Sequence, residues 1–333
     1  MNVKVLTNTL AFMFGEKMSY FLISVATMEN LEKCIQMNVA GFTSSVNGYW
    51  AFVDIDVGDY ISFLHGAKVY NLHRVKKKVA IENPDEVGPW EPIKLPSGRV
   101  YSFPFRLLLT PLRELSESMI RPEFSYVAEN LLLRGGYRKT HFQADEVTLY
   151  NVSGMGIPVS EEFQHETSKW KAFMPKITFS RELIDPPRVF PMREVLLQSL
   201  LRKAIERNFL EGLLETFGID GNPEDFEVLG EKALPTGHVD LLIKPKHPLG
   251  RAPRILVEVK LGSAGKEDLK QLKAYIKESG PETVGGVLIA KSFKKNIEEE
   301  PNIKFWSYGF GNITREATYT YEELLRKIRL EEV

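Results

Sequence analysis

Cysteine is almost absent from this chain, because only Cys34 among 333 residues carries a thiol. A single cysteine excludes an internal disulfide and a zinc site built on several cysteine ligands, so we expect Cys34 to be a small buried hydrophobe. Long apolar runs are missing too, since no stretch approaches the roughly 20 residues that cross a bilayer. The apolar stretch 10–14 lacks a small-residue cleavage site. We therefore expect a cytoplasmic protein without a membrane partner.

Repeats and low-complexity tracts are also absent, and the formal net charge is only −1. A chain of this length exceeds the useful size of one hydrophobic core, so we expect two domains. The near-neutral total hides a segregation of charge. Residues 241–296 hold twelve Lys and Arg against five Asp and Glu, and three glutamates follow at 298–300. A basic segment of this kind is what a phosphate-binding surface requires.

Two apolar runs near the C-terminus carry the most informative charges. The first contains Asp240, and the second ends in Glu258-Val-Lys260. Side chains alternate along a strand, so Glu258 and Lys260 project from one face while the intervening valines enter the core. The Pro-, Gly- and Lys-containing stretch 244–254 predicts a turn that brings Asp240 beside Glu258. The alternative is a solvated hairpin face with a cross-strand ion pair.

Two carboxylates and a lysine suit the hydrolysis of a phosphodiester. Mg²⁺ prefers oxygen ligands and is usually held by one or two carboxylates plus a substrate phosphate. Asp240 and Glu258 are therefore candidate ligands, with the Val259 carbonyl as a third, and we expect Mn²⁺ to substitute. Such a metal lowers the pKa of a bound water and neutralises charge in the transition state. Lys260 is expected to orient that water or pair with the scissile phosphate.

Three segments of the chain carry a resemblance to a known family. They are Gly237-His-Val-Asp240, Glu258-Val-Lys260 and Gln271-Leu-Lys-Ala-Tyr275. These segments resemble the motifs of the PD-(D/E)XK nuclease superfamily, in particular its archaeal NucS-like branch, over residues 195–310. The resemblance implies a restriction-endonuclease-like α/β/α core with Gln271 at the catalytic centre. Val239 stands where the superfamily name has proline, a departure that many members share.

Nucleases of this superfamily usually add a glutamate from a preceding helix. The spacing of leucines predicts that helix over residues 192–217. Glu206 borders the apolar stripe and is the candidate, with Glu211 as an alternative. The competing interpretation is an ordinary solvated ion pair between Glu206 and Arg202, four residues apart on the helix.

Four lysines recur along the helix predicted around Gln271. Their spacing of three and four residues places them on one face, where they are candidate contacts to DNA phosphates. They are Lys266, Lys270, Lys273 and Lys277. For each lysine taken singly, a merely solvated helix is the alternative.

The first part of the chain predicts a small mixed barrel. A strand at 19–25 and a short helix at 30–38 come first, and further pieces of the barrel, among them 48–53, follow up to 101–112. The arrangement is similar to the PUA-like superfamily, in particular its YTH and EVE branch, over residues 17–116. The pieces that carry the similarity include Gly41-Phe42-Thr43-Ser44 and Phe103-Pro-Phe-Arg106. The resemblance implies a domain that holds a modified base in an aromatic cage.

Four residues are the candidates for binding that base: Phe42, Ser44, Trp50 and Trp90. Phe42 takes the place of the tryptophan that usually follows the helix. A flipped base that stacks on an aromatic face gains on the order of 1–3 kcal/mol. For each ring the alternative is ordinary packing in the core, which is the common fate of large aromatic side chains.

We thus expect an α/β protein with two domains. Residues 1–116 form the PUA-like reader and residues 192–333 the nuclease. Residues 117–191 form a segment with a helix at 121–133 and a linker, and the first domain can include them.

The predicted function is that of a Mg²⁺-dependent DNA endonuclease that recognises a modified base, as in type IV restriction. A NucS-like repair nuclease acting on mismatched or branched DNA is one alternative. A non-catalytic DNA- or RNA-binding protein is another. RNA is an alternative partner because PUA-like domains often bind it, and a homodimer is compatible with each function.

Overall fold

The computed structural model describes residues 18–66, 68–115, 140–160, 163–234, 237–295, 297–298 and 300–333. The helix expected at 121–133 lies outside these residues. Within them the chain folds as a mixed α/β structure.

The strands of the first half are β1 (Tyr20–Ser24), β2 (Val39–Phe42), β3 (Tyr60–His65), β4 (Lys68–Ile81), β5 (Ile93–Lys94), β6 (Val100–Tyr101), β7 (Phe105–Glu114), β8 (His141–Ala144), β9 (Ile157–Pro158) and β10 (Ala172–Phe173). Those of the second half are β11 (Lys176–Thr178), β12 (Val189–Pro191), β13 (Phe226–Leu234), β14 (Gly237–Pro245), β15 (Arg254–Ala264), β16 (Thr283–Phe293), β17 (Ile303–Phe310), β18 (Thr318–Tyr319) and β19 (Ile328–Glu332). The α-helices are α1 (Met28–Met37), α2 (Val46–Asp54), α3 (Pro84–Val87), α4 (Glu146–Ser153), α5 (Glu194–Ala204), α6 (Leu210–Thr216), α7 (Lys266–Ser279) and α8 (Tyr321–Lys327).

The first half is a mixed sheet with the strand order β2-β7-β4-β3-β1-β8. Strands β1 and β3 run parallel, and the other neighbours in this order are antiparallel. Among the described residues the order begins at β2 and ends at β8, so the sheet is open where we expected a barrel. Residues 48–53, which we counted among the pieces of that barrel, lie in α2, capped by the Ser45 hydroxyl. Cys34 is buried on α1, as expected.

The stretch before α5 is structured rather than a free linker. Strands β8, β9 and β10 pair with β1, β7 and β4 of the first sheet. Strands β11 and β12 form a small sheet with β18 from the C-terminal part. The segment 140–191 therefore packs on both halves, and the domain boundaries at 116 and 191 stay predictions.

The second half is a six-stranded sheet with the order β13-β14-β15-β16-β17-β19. Strands β14 and β15 form the expected antiparallel hairpin, and α7 is the crossover between the parallel strands β15 and β16. Alternate strand residues face opposite layers. Val257 packs in the cluster that holds the leucines of α5, whereas Leu256 packs with Leu272 of α7. The result is an α/β/α arrangement around the hairpin.

One cluster of buried residues runs through both halves of the molecule. It includes Phe21 and Phe105 from the first sheet together with Leu197 and Val257 from the second half. The two halves therefore share a packed interface. No helix in the described part of the chain is long and apolar enough to span a membrane.

Candidate active site

The site forms where β14 and β15 separate. Backbone pairing along the hairpin runs from Ile243 to Leu241, opposite Ile255 to Val257, and stops there. Asp240 is the next residue, and its Oδ2 accepts a hydrogen bond of 2.7 Å from the Val259 backbone N–H. The carboxylate thus takes the place of a ladder partner, which holds Asp240 at the fork between the two strands.

Glu258 and Lys260 lie on one face of β15, as the strand alternation predicts. Glu258 is only 1% exposed, and the Lys260 Nζ donates to its Oε1 at 2.7 Å. Asp268 in the first turn of α7 lies on the other side of the ammonium, with Oδ1 at 3.9 Å from Nζ. Lys260 is therefore held between two carboxylates while its side chain stays partly exposed.

Helix α5 adds two side chains to this site. The Glu194 Oε2 accepts from the Leu261 backbone N–H at 3.0 Å, and the Gln198 Nε2 donates to the Asp240 Oδ1 at 2.6 Å. Residues four apart lie on one face of a helix, so this face meets both strands of the hairpin.

The helix glutamate beside the fork is therefore Glu194 and not Glu206. Glu206 lies twelve residues later, about 18 Å farther along a helix axis at 1.5 Å per residue. There it lines a small pocket with Gln143 and Lys246. The alternative, Glu211, is exposed on α6. Sequence reasoning passed over Glu194 because an acidic residue in a first helical turn is common for reasons of the helix dipole alone.

Burial and mutual repulsion perturb the charges of the site. Burial raises the pKa of Asp240 well above its usual range, and the neighbouring Glu258 raises it further. Burial also raises the pKa of Glu258, although the contact with Lys260 acts in the opposite direction. For Lys260, burial lowers the pKa, but the contacts with Glu258 and Asp240 outweigh it and the pKa is raised. Two buried acids at one fork are groups that a cation would stabilise as anions.

Two buried oxygen atoms at the fork have no hydrogen-bond partner among the described residues: the Glu258 Oε2 and the Gln198 Oε1. A buried oxygen without a partner costs free energy that a cation or its bound water would offset. No three Asp, Glu, His or Cys side chains within the described ranges converge as a complete metal site. Two carboxylates with the remaining positions left to water and phosphate are nevertheless the usual ligand set for Mg²⁺. The residues present therefore fit that ion.

Gln271 lies on the site's side of α7, because it follows Asp268 by one helical turn. Its Nε2 donates to the Tyr275 Oη at 2.9 Å. The tyrosine packs against Gly237 at the start of β14, where an added Cβ would lie 2.2 Å from the Tyr275 Oη. Only glycine leaves room for this contact, which fixes α7 against the hairpin. Another tyrosine, Tyr308, donates to the Leu261 carbonyl at 2.6 Å and was not anticipated.

The four lysines of α7 are all exposed along one stripe. Two of them are engaged by the acidic stretch that follows β16. The Lys266 Nζ lies 3.2 Å from the Glu298 Oε1, and the Lys273 Nζ lies 2.5 Å from the Glu300 Oε1. Half of the expected phosphate-binding stripe therefore already has intramolecular counter-ions.

The candidate base-binding rings lie in the core of the first half. Phe42, Trp50 and Trp90 are 3%, 7% and 5% exposed. Trp50 meets the His141 ring edge-on at 4.4 Å, and the Arg106 guanidinium lies 5.4 Å from Trp90. The arrangement leaves no open ring face for a base. Base binding by these rings stays a prediction, and it requires a ring to leave the core.

Ser44, the fourth candidate, is partly buried at the loop before α2. Its backbone N–H donates to the Ser102 carbonyl at 2.9 Å. The described contact therefore ties this loop to the strand region before β7.

The junction between α2 and α5 holds a buried charge network that sequence reasoning missed. Asp54, at the end of α2, accepts from the Ser199 hydroxyl at 2.6 Å and lies 2.9 Å from the His141 Nε2. Lys203 donates to the Val53 carbonyl at 2.8 Å. Arg202, which the competing interpretation of Glu206 placed in a solvated ion pair, is 3% exposed and pairs with Asp54. Burial alone would raise the pKa of Asp54, but Arg202 and His141 lower it well below its usual range.

Comparison with solved structures finds weak similarity to DNA endonucleases. A structure of an EndoMS complex with double-stranded DNA is 28% identical over 26% of this chain and 36% of its own, with a TM-score of 0.18. A repair endonuclease from Pyrococcus abyssi is 22% identical over 26% of this chain and 38% of its own, also with a TM-score of 0.18. This chain thus spans well under half the length of either protein.

No protein-family model and no curated protein matches the chain. At so low a TM-score the similarity to the two endonucleases carries no argument about fold or function.

Proposed function

We propose that this protein is a metal-dependent phosphodiesterase that cuts DNA as an endonuclease. The observation that carries the proposal is the fork itself. Asp240 and Glu258 are two closely placed acids, and the Glu258 Oε2 is buried without a partner beside the Lys260 ammonium. A structural ion pair would not need a second buried acid whose charge is unfavourable.

Each residue has a distinct task in this proposal. Asp240 and Glu258 would hold Mg²⁺ or Mn²⁺, with the Val259 carbonyl as a further ligand. The bound metal would lower the pKa of a water and stabilise charge that develops on the phosphate. Lys260 is fixed by Glu258 and Asp268 yet keeps an exposed side, so it is placed to pair with the scissile phosphate or to orient the attacking water.

The lysine stripe of α7 supports a nucleic acid as the substrate. The stripe lies on the opposite side of α7 from Asp268, the residue that contacts Lys260, because residues two apart on a helix do not share a face. A row of exposed lysines suits a phosphate backbone, and this row would bind it on the outer face of α7. We propose double-stranded DNA, with RNA as the alternative to be tested.

The finer substrate choice lies between two forms of DNA. The resemblance of the first half to PUA-like domains favours recognition of a modified base by that half, as in type IV restriction. The burial of Phe42, Trp50 and Trp90 favours the second candidate, a repair nuclease that acts on mismatched or branched DNA. The two candidates share the same chemistry and differ in what the first half recognises.

The test measures cleavage of DNA substrates of the same base sequence by the purified chain in Mg²⁺ or Mn²⁺. The panel comprises unmodified, adenine-methylated, cytosine-methylated, mismatched and branched DNA, with an RNA duplex beside them. We expect EDTA, Asp240→Asn and Glu258→Gln each to stop cleavage while DNA binding persists. Glu267→Gln is the matched control, because this exposed glutamate neighbours Asp268 but makes no described contact with the fork.

Undiminished cleavage by Glu258→Gln would refute the assignment of the site. Binding without cleavage of any substrate in either metal would leave the non-catalytic DNA- or RNA-binding alternative. Preference for one methylated duplex would select the modified-base candidate, and preference for the mismatched or branched duplex would select the repair candidate.

A further inference from the structure

Gln198 occupies an unusual position for a polar residue on α5. Its neighbours Leu197, Leu200 and Leu201 are fully buried, and Gln198 itself is only 7% exposed. Burying an amide in such surroundings is costly unless both ends of the amide find partners. Only one end has a protein partner here, because Nε2 donates to the Asp240 Oδ1 whereas Oε1 is buried without one.

The carboxylate of Asp240 is fixed from two directions. Its Oδ1 accepts from Gln198 at 2.6 Å, and its Oδ2 accepts from the Val259 N–H at 2.7 Å. Each carboxylate oxygen has a second acceptor position, so two donors leave room for one further partner on each. The terminal torsion of an aspartate is broad, and two fixed donors reduce it to one orientation.

The orientation of the amide follows from the charge of Asp240. If the amide were turned, Oε1 would face Oδ1 at the same 2.6 Å, and two acceptors would repel each other. Whenever Asp240 is ionised, Nε2 must therefore point toward it. Oε1 is then the other end of the amide, and no donor among the described residues reaches it.

We propose that Gln198 is a positioning residue for the metal site: its amide N–H orients Asp240, and its carbonyl accepts a hydrogen bond from a water bound to the cation. This inference rests on the proposed function. It accounts for both ends of the amide and for the orphaned Oε1. Partners that orient a ligand in this way typically contribute about 10–100-fold to metal affinity.

The test measures Mn²⁺ binding to the metal-free, full-length chain by titration calorimetry. Gln198→Met keeps the length of the side chain and removes both hydrogen-bonding groups. We expect its Mn²⁺ dissociation constant to rise about 10–100-fold. Ser199→Ala is the matched control, because the next residue on α5 is also buried but bonds to Asp54 and Tyr321. Ser199→Ala should bind Mn²⁺ like the unaltered chain, and Asp240→Asn should lose binding.

Thermal melts in EDTA show whether each variant folds. If Gln198→Met does not fold, Gln198→Asn takes its place, because its amide is one methylene too short to reach Asp240 and the same weakening is expected. Unchanged Mn²⁺ affinity in the folded variant, with binding lost in Asp240→Asn, would overturn the inference and leave the proposed function intact. Unchanged affinity in Asp240→Asn as well would overturn the proposed function itself.

Discussion

Arg202 on α5 and Asp54 at the end of α2 form a buried ion pair that joins the two halves of the molecule. The Arg202 Nη2 lies 2.9 Å from the Asp54 Oδ1 and also donates to the Asp54 backbone carbonyl at 3.1 Å. The side chains are 3% and 7% exposed. At such burial the stability of the fold depends on both members of the pair, because removing one leaves the other charge buried without a counter-ion.

We expect Arg202→Met to lower the free energy of unfolding by about 3–5 kcal/mol, because it leaves Asp54 buried without its main counter-ion. Urea unfolding followed by circular dichroism measures this loss. Arg207→Met is the control, since Arg207 is half-exposed and lies 3.6 Å from Asp56. The control should cost at most about 1 kcal/mol. Equal losses of unfolding free energy in the two variants would show that the buried pair stabilises the protein no more than the exposed one.

The same pair predicts how stability depends on pH. The pKa of Asp54 is lowered in the folded protein, so the folded state favours the ionised carboxylate. Its contribution is complete above the unfolded pKa of about 3.9 and is lost as the pH falls toward the lower folded value. Asp54→Asn lacks this contribution at every pH. Unfolding free energies measured from neutral pH into the acid range should therefore fall more steeply in the unaltered chain, and parallel curves would contradict the assignment.

The free lysines of the α7 stripe should dominate the salt dependence of DNA binding. Lys270 and Lys277 have no ion pair within the described part of the chain, whereas Lys266 and Lys273 are paired. Each lysine that contacts phosphate contributes about 0.9 to the slope of log affinity against log salt. Lys270→Gln with Lys277→Gln should flatten that slope more than the same change at Lys266 and Lys273. An unchanged slope would mean that DNA does not lie on this stripe.

The acidic stretch after β16 should weaken DNA binding by competing for the stripe. Glu298→Gln with Glu300→Gln frees Lys266 and Lys273, so we expect higher DNA affinity at low salt and a steeper salt slope. Fluorescence anisotropy over a salt series measures both quantities. Glu215→Gln with Glu331→Gln is the control with the same change of net charge, because both glutamates are exposed and have no ion pair within the described residues. Equal gains in the two variants would show a general charge effect and not competition.

The hairpin of the site was predictable from sequence because it depends on local rules. Strand alternation places Glu258 and Lys260 on one face, and a turn returns the chain to Asp240. The structure contains both features, because β14 and β15 pair antiparallel and Lys260 contacts Glu258. Glu194 and Gln198 were not predictable in the same way, because their roles depend on how α5 crosses the sheet. A π-helical turn over Ile205–Phe209 follows α5. The wider turn shifts which residues face the sheet, so the α-helical spacing read from residues before 205 does not extend past it.

The buried polar and aromatic residues were harder to place. A charged residue on a helix is usually exposed, and a solvated pair of Arg202 with Glu206 was one of the two interpretations. The tertiary contact with Asp54 explains why Arg202 is buried. The rings of Trp50 and Trp90 carry the same sequence signal whether they line a cage or fill a core. Their surroundings decide between these roles, and those surroundings come from distant segments, such as His141 beside Trp50.

The ammonium of Lys260, close to both Glu258 and Asp268, gives the second half of the molecule a counter-ion of its own. In small zinc domains the metal supplies that charge, so the domain is unfolded until the metal binds. Here the Lys260 ammonium lies near carboxylates of both β15 and α7, and Leu256 packs with Leu272 of α7, so we expect the chain to fold before any divalent ion binds. Metal binding and folding are thereby separate events, so we expect a chelator to stop catalysis without unfolding the protein.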